Sequence, residues 1–162
     1  MRLFLVGVVV GTLLVLSPIS FAQSQPSVQG VWKVSETTGG LGAADDKAVN
    51  SAPQPGYYIF TPGGHYSITR AYGDKSRLPP KDANNPTIAE LTDANRFLAQ
   101  FGTYEVKGDT ITFRLSVARQ PATMNAATPL TGSFKLDGKL LTLTLKSATT
   151  GAVGVVKLTR VE

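Results

Sequence analysis

Alternation could bring Tyr66, Ile68, Arg70 and Tyr72 onto one surface, because they stand at every second position; Tyr58 and Phe60 stand two apart just upstream. Two-residue spacing puts side chains on one face of an extended strand. A face of aromatic rings with one guanidinium among them suits an amphipathic molecule: the apolar body lies on the rings and an anionic group meets the N–H donors of the arginine. The same pattern also serves plain packing, with Arg70 laying its stem along the rings and sending its charged end to water.

Other chemistry is poorly provided for. His65 is the single histidine and there is no cysteine, so a two-histidine metal site, a thiolate metal site and thiol catalysis are all excluded. A lone histidine could still be an axial haem ligand, but His65 directly follows Gly63-Gly64 and reads as the partly exposed start of a strand. Asp45-Asp46 lies among Gly and Ala without the spacing of a calcium loop, and no nucleophile elbow, phosphate loop or dinucleotide fingerprint is present. The expectation is a protein without a cofactor, and a non-enzymatic one in preference to an enzyme.

The chain has 162 residues and a formal net charge of +5. Its lysines and arginines are spread from Lys33 to Arg160 with no run or stripe, whereas a nucleic-acid site needs basic residues gathered with stacking aromatics. No nucleic-acid partner is therefore expected, and oligomeric state is left open. Residues 1–22 have the layout of a secretory leader: Arg2, an apolar run from Leu3 to Leu16, then Ser20-Phe21-Ala22 as a cut site. A membrane anchor is the rival reading of this stretch; Pro18 and the small residues at the cut favour cleavage. Export to the periplasm or beyond is expected, leaving residues 23–162 as one domain without a membrane span.

Positioning the ring-and-arginine face requires strands, and the sequence supplies them. Gly30–Glu36 alternates, as do Tyr57–Thr61 and His65–Tyr72, which flank the turn Pro62-Gly63-Gly64. Residues 37–56 and 73–85 read as irregular. Thr87 and Glu90 form a capping box, and Ile88, Leu91, Leu98 and Phe101 recur at helical spacing, so an amphipathic helix is expected to run to a stop at Gly102. Period two returns at Tyr104 and Val106. After Lys107-Gly108-Asp109, residues Ile111, Phe113, Leu115 and Val117 share one face; Pro121 to Pro129 is a loop. Leu130–Leu136, the turn at Asp137-Gly138, a strand with Leu141, Leu143 and Leu145, and Val153–Val161 complete the chain. Eight strands, each with one apolar face, and a single inserted helix are best satisfied by an all-β antiparallel barrel, because closure covers the apolar faces and removes the edges.

Gly30-Val31-Trp32, the run Gly56 to Ser67, the run Phe97 to Thr112 and the Leu136–Leu143 hairpin together resemble the bacterial lipocalin-like domain. The resemblance spans nearly all of residues 23–162 and implies a calycin-type barrel; it implies little about activity, since most members have none assigned. It also implies a structural pair: Trp32 closing one barrel end, with Arg160 of the last strand lying across it.

The leading functional expectation is an exported binding protein that takes a small apolar or amphipathic molecule, anionic where Arg70 is engaged, into the barrel. The alternatives are a structural or interaction barrel filled by its own side chains, and an enzyme using Tyr, Arg and carboxylates on the same scaffold. For the leader, N-terminal sequencing of the exported protein is expected to begin at Gln23; a membrane-retained product starting at Met1 would overturn the cleavage.

Overall fold

The structure is a computed structural model, and it describes residues 27–39, 56–71, 77–125, 128–146 and 151–162. The expected leader 1–22, the Asp45-Asp46 pair and Tyr72 lie outside these residues. The described residues form β1 (Gly30–Thr38), β2 (Gly56–Phe60), β3 (His65–Ala71), α1 (Ile88–Ala94), β4 (Phe97–Lys107), β5 (Thr110–Ala118), α2 (Pro121–Met124), β6 (Leu130–Asp137), β7 (Leu140–Lys146) and β8 (Val153–Arg160). Each strand pairs antiparallel with the next, and β8 pairs with β1, so the sheet closes into a barrel.

Turn chemistry sorts the connections between two ends. At one end the strands are joined by the tight turns after β2, β4 and β6, where Gly64, Gly108 and Gly138 all take positive φ. The chain's first and last strands also begin and end here, and we call this end the floor. At the opposite end, the mouth, β3 and β5 precede the two short helices α1 and α2. Inward positions alternate with outward ones along the regular stretches of each strand. In β2, for example, Tyr58 and Phe60 are buried while Tyr57 and Ile59 are exposed.

The floor is sealed by Trp32 and Arg160. They are directly paired across β1 and β8. The indole is fully buried, its Nε1–H donates to the Val28 carbonyl at 2.7 Å, and the Arg160 guanidinium carbon lies 4.1 Å from the ring centroid. Arg160 also donates to the carbonyls of Gln29 and Ser27, both at 2.6 Å, binding the segment that enters β1 to the end of β8. Only glycine fits at position 30, where φ is +125° and a Cβ would stand 2.3 Å from the Glu162 carbonyl oxygen.

The structure corrects three expectations. The helix ends at Ala94 instead of reaching Phe101, and β4 begins at Phe97. Leu98 and Phe101 fit helical spacing, but Phe97–Thr103 pairs residue for residue with β3; leaving the barrel open there would strand the backbone groups of β3. The helix that remains buries no residue, and Ile88 is 84% exposed. Its capping box forms, Glu90 also accepts from the Lys81 N–H at 3.0 Å, and Arg119 donates to the Asn95 carbonyl at 2.9 Å. Second, Val117 leaves the face of Ile111, Phe113 and Leu115. The β4–β5 register shifts between Phe101 and Gly102, turning Val117 outward at 59% exposure and Ala118 inward. Third, the expected loop 121–129 opens with one helical turn, α2, with Pro121 in its first turn.

Trp32→Ala is expected to cost about 3–5 kcal/mol, since a large buried ring leaves a cavity, and Arg160→Ala about 1–2 kcal/mol through lost stacking and hydrogen bonds. Urea melts of both variants check this. Stabilities within error of wild type would mean that the pair does not hold the barrel shut.

Candidate functional site

The aromatic residues and the arginine singled out by alternation, Tyr72 apart, point into the barrel. Register arranges them with β4 in three rows from floor to mouth. Phe60, Tyr66 and Gly102 form the first; Tyr58, Ile68 and Gln100 the second; Gly56, Arg70 and Leu98 the third. Tyr58, Phe60, Tyr66 and Ile68 are all fully or almost fully buried, and Arg70 is only 7% exposed.

The floor row is packed by rings. Tyr66 meets Phe113 edge-on with centroids 4.9 Å apart, and Phe60 meets Tyr104 edge-on at 5.1 Å, the geometry that ring quadrupoles favour. Gly102 makes room for this: a Cβ there would lie 3.0 Å from a Tyr66 ring carbon and 2.0 Å from the Arg114 carbonyl oxygen. Tyr104 sends its hydroxyl to the Thr61 carbonyl at 2.9 Å, fastening β4 to the β2–β3 turn. The mouth row depends on a second glycine. A Cβ at Gly56 would fall 2.5 Å from the Arg70 Cβ and 3.1 Å from a Val34 methyl, so the arginine occupies space that any other residue would fill.

Two polar features accompany Arg70. Gln100 is a buried inward side chain in the second row. Tyr66 carries a buried hydroxyl with no hydrogen-bond partner among the described residues. Burial holds its phenol far above the ordinary range near 10, and the neighbouring Tyr58 phenol opposes ionisation further. Helical spacing across 97–101 hides Gln100 in the sequence. The available signal was alternation: Leu98, Gln100, Gly102 and Tyr104 fall on one side of an extended strand.

His65 lies on the outer surface, with its ring stacked on Phe101 at 5.8 Å between centroids. Among the described residues no three His, Cys, Asp or Glu side chains gather as metal ligands, and no helix is long and apolar enough to cross a membrane.

The closed, up-and-down, eight-stranded barrel is lipocalin-like in architecture. Similar solved structures include a lipocalin-like protein from Bacteroides uniformis, 16% identical, with 80% of this chain and 96% of that one covered and a TM-score of 0.40. A protein from Bacteroides eggerthii is also 16% identical, with 80% and 97% covered and the same TM-score of 0.40. Fatty-acid-binding protein 1 of Echinococcus granulosus is 15% identical, with 83% and 98% covered and a TM-score of 0.40. No protein-family model and no curated protein matches the sequence.

Tyr66→Phe keeps the ring and removes the buried hydroxyl, so it is expected to leave stability unchanged or raise it by up to about 1–2 kcal/mol. Because the folded-state pKa is raised, the stability linked to this phenol is complete below pH ~10 and is lost as pH rises further, where the unfolded chain ionises and the folded one does not. Urea melts at pH 8 and 11 are expected to show a smaller alkaline loss in Tyr66→Phe than in wild type. Equal losses would show that the phenol is not held protonated.

Proposed function

We propose that this protein is an exported, non-enzymatic carrier that takes a small amphipathic anion into its barrel. The charged group meets Arg70 near the mouth, and the apolar body descends along Tyr58 and Ile68 toward the rings of the floor row. One observation carries the reading: an arginine turned inward from the barrel wall, buried, in a row with Gly56 and above two rows in which Gln100 is the one polar amide among aromatic and aliphatic side chains. The five N–H donors of Arg70 are enough to serve a protein acceptor and a bound carboxylate together.

The packing of Phe60, Tyr66 and Phe113 favours a filled barrel for the floor half, so the proposed space lies between those rings and the mouth. A barrel filled from end to end by its own side chains is the second reading, and it gives Arg70 a purely structural role.

Titration calorimetry with dodecanoate and its neutral methyl ester separates the two. Arg70→Gln is expected to weaken dodecanoate by about 1.5–3 kcal/mol, the worth of a hydrogen bond to a charged group, and to change the ester little. Equal losses for both, or no binding of either to wild type, would favour the filled barrel.

A further inference from the structure

Proceeding from that reading, we propose that the barrel selects an anion carrying a second oxygen, a hydroxyl or keto group on its chain, which the Tyr66 hydroxyl meets below the Arg70 contact. Tyr66 is fully buried, and its O–H has no partner among the described residues. An unpaired buried hydroxyl is costly, and phenylalanine would fill the same space without that cost. The polar atom is therefore out of place unless a group that enters the barrel completes it.

Its surroundings point to the oxygen of an amphipathic molecule. The ring is fixed on both sides, by Phe113 edge-on and by the missing Cβ of Gly102, so the hydroxyl cannot readily swing away to find another acceptor. Tyr58, buried and inward in the row above, adds a second phenol to the same wall. Gln100 stands inward in the row between Tyr66 and Arg70, and it is only 9% exposed. Polar side chains thus descend the inner wall from Arg70 through Gln100 to Tyr66. A plain alkyl chain would leave the lower part of that ladder unmatched.

The spacing sets the kind of molecule. Arg70 and Tyr66 are four residues apart on one strand, a backbone separation of roughly 13 Å, or about the length of ten carbons in an extended chain. A carboxylate whose second oxygen sits at the far end of a ten-carbon chain spans that distance and stops at the ring-filled floor. A buried phenol that remains protonated donates to a hydroxyl or keto oxygen and accepts from a hydroxyl.

The test compares decanoate with 10-hydroxydecanoate by titration calorimetry, using wild type, Tyr66→Phe and Arg70→Gln. Wild type is expected to prefer the hydroxy acid about tenfold, as one hydrogen bond to an otherwise unpaired group implies. Tyr66→Phe should bring the two acids within about twofold of each other while leaving decanoate affinity unchanged, and Arg70→Gln should weaken both acids alike. Decanoate bound in an Arg70-dependent way with no gain from the hydroxyl, or a preference that survives Tyr66→Phe, would overturn the second contact and leave the carrier reading standing. Failure of wild type to bind either acid would overturn both.

Discussion

Pairing between the first and last strands is the interaction on which the rest depends. Unless β8 returns to β1, both would be exposed edges, and the inner faces of all eight strands would lose their cover. The sequence secures this pairing at the floor, where Trp32 and Arg160 face one another in register. Arg160 stacks on the indole and also grips the backbone of Ser27 and Gln29. The Val161 N–H donates to the Val31 carbonyl at 2.7 Å, extending the zip past the end of β8. A cation near an indole and a few main-chain hydrogen bonds are each worth only about 1–2 kcal/mol. Placed where the sheet closes, they decide whether the apolar interior exists.

Once the barrel is closed, glycines and rings divide its interior. An eight-stranded barrel is just wide enough for side chains to fill it, so any space must come from residues that are absent or small. Gly102 lets the Tyr66 ring lie close to β4, and Gly56 opens the wall beside Arg70. Toward the floor, Trp32, Phe60, Phe113, Leu141 and Leu158 form a fully buried apolar core. Arg70 and Gln100, the buried polar residues of the described core, both lie above the first row.

Much of this architecture can be read from alternation. Strands with one apolar face declare themselves at period two, and the turns at Gly64, Gly108 and Gly138 coincide with glycines that take positive φ. The inward set Tyr58, Phe60, Tyr66, Ile68 and Arg70 follows from the same rule, because β2 and β3 are regular and joined by a short turn. The rule fails where tertiary pairing decides. Residues 97–101 satisfy helical and extended spacing equally, and only the need to pair β3 chooses between them. Val117 was misplaced because a bulge shifts the phase by one residue, and nothing in Arg114–Ala118 marks it. Gln100 went unseen for the first of these reasons. The pairing of Trp32 with Arg160, some 130 residues apart, rested on family resemblance, since no local pattern links such distant positions.

The central claim is that the barrel admits an amphipathic anion between its aromatic floor and its mouth, with Arg70 at the charged end. An NMR titration with dodecanoate locates binding residue by residue. The account predicts saturable, one-to-one shifts at the Arg70 Nε–H and at the Tyr58, Ile68 and Gln100 amides, with the Trp32 indole N–H unmoved. Shifts confined to outer-surface residues such as Tyr57, Ile59 and Phe101, or no shifts at all, would contradict it.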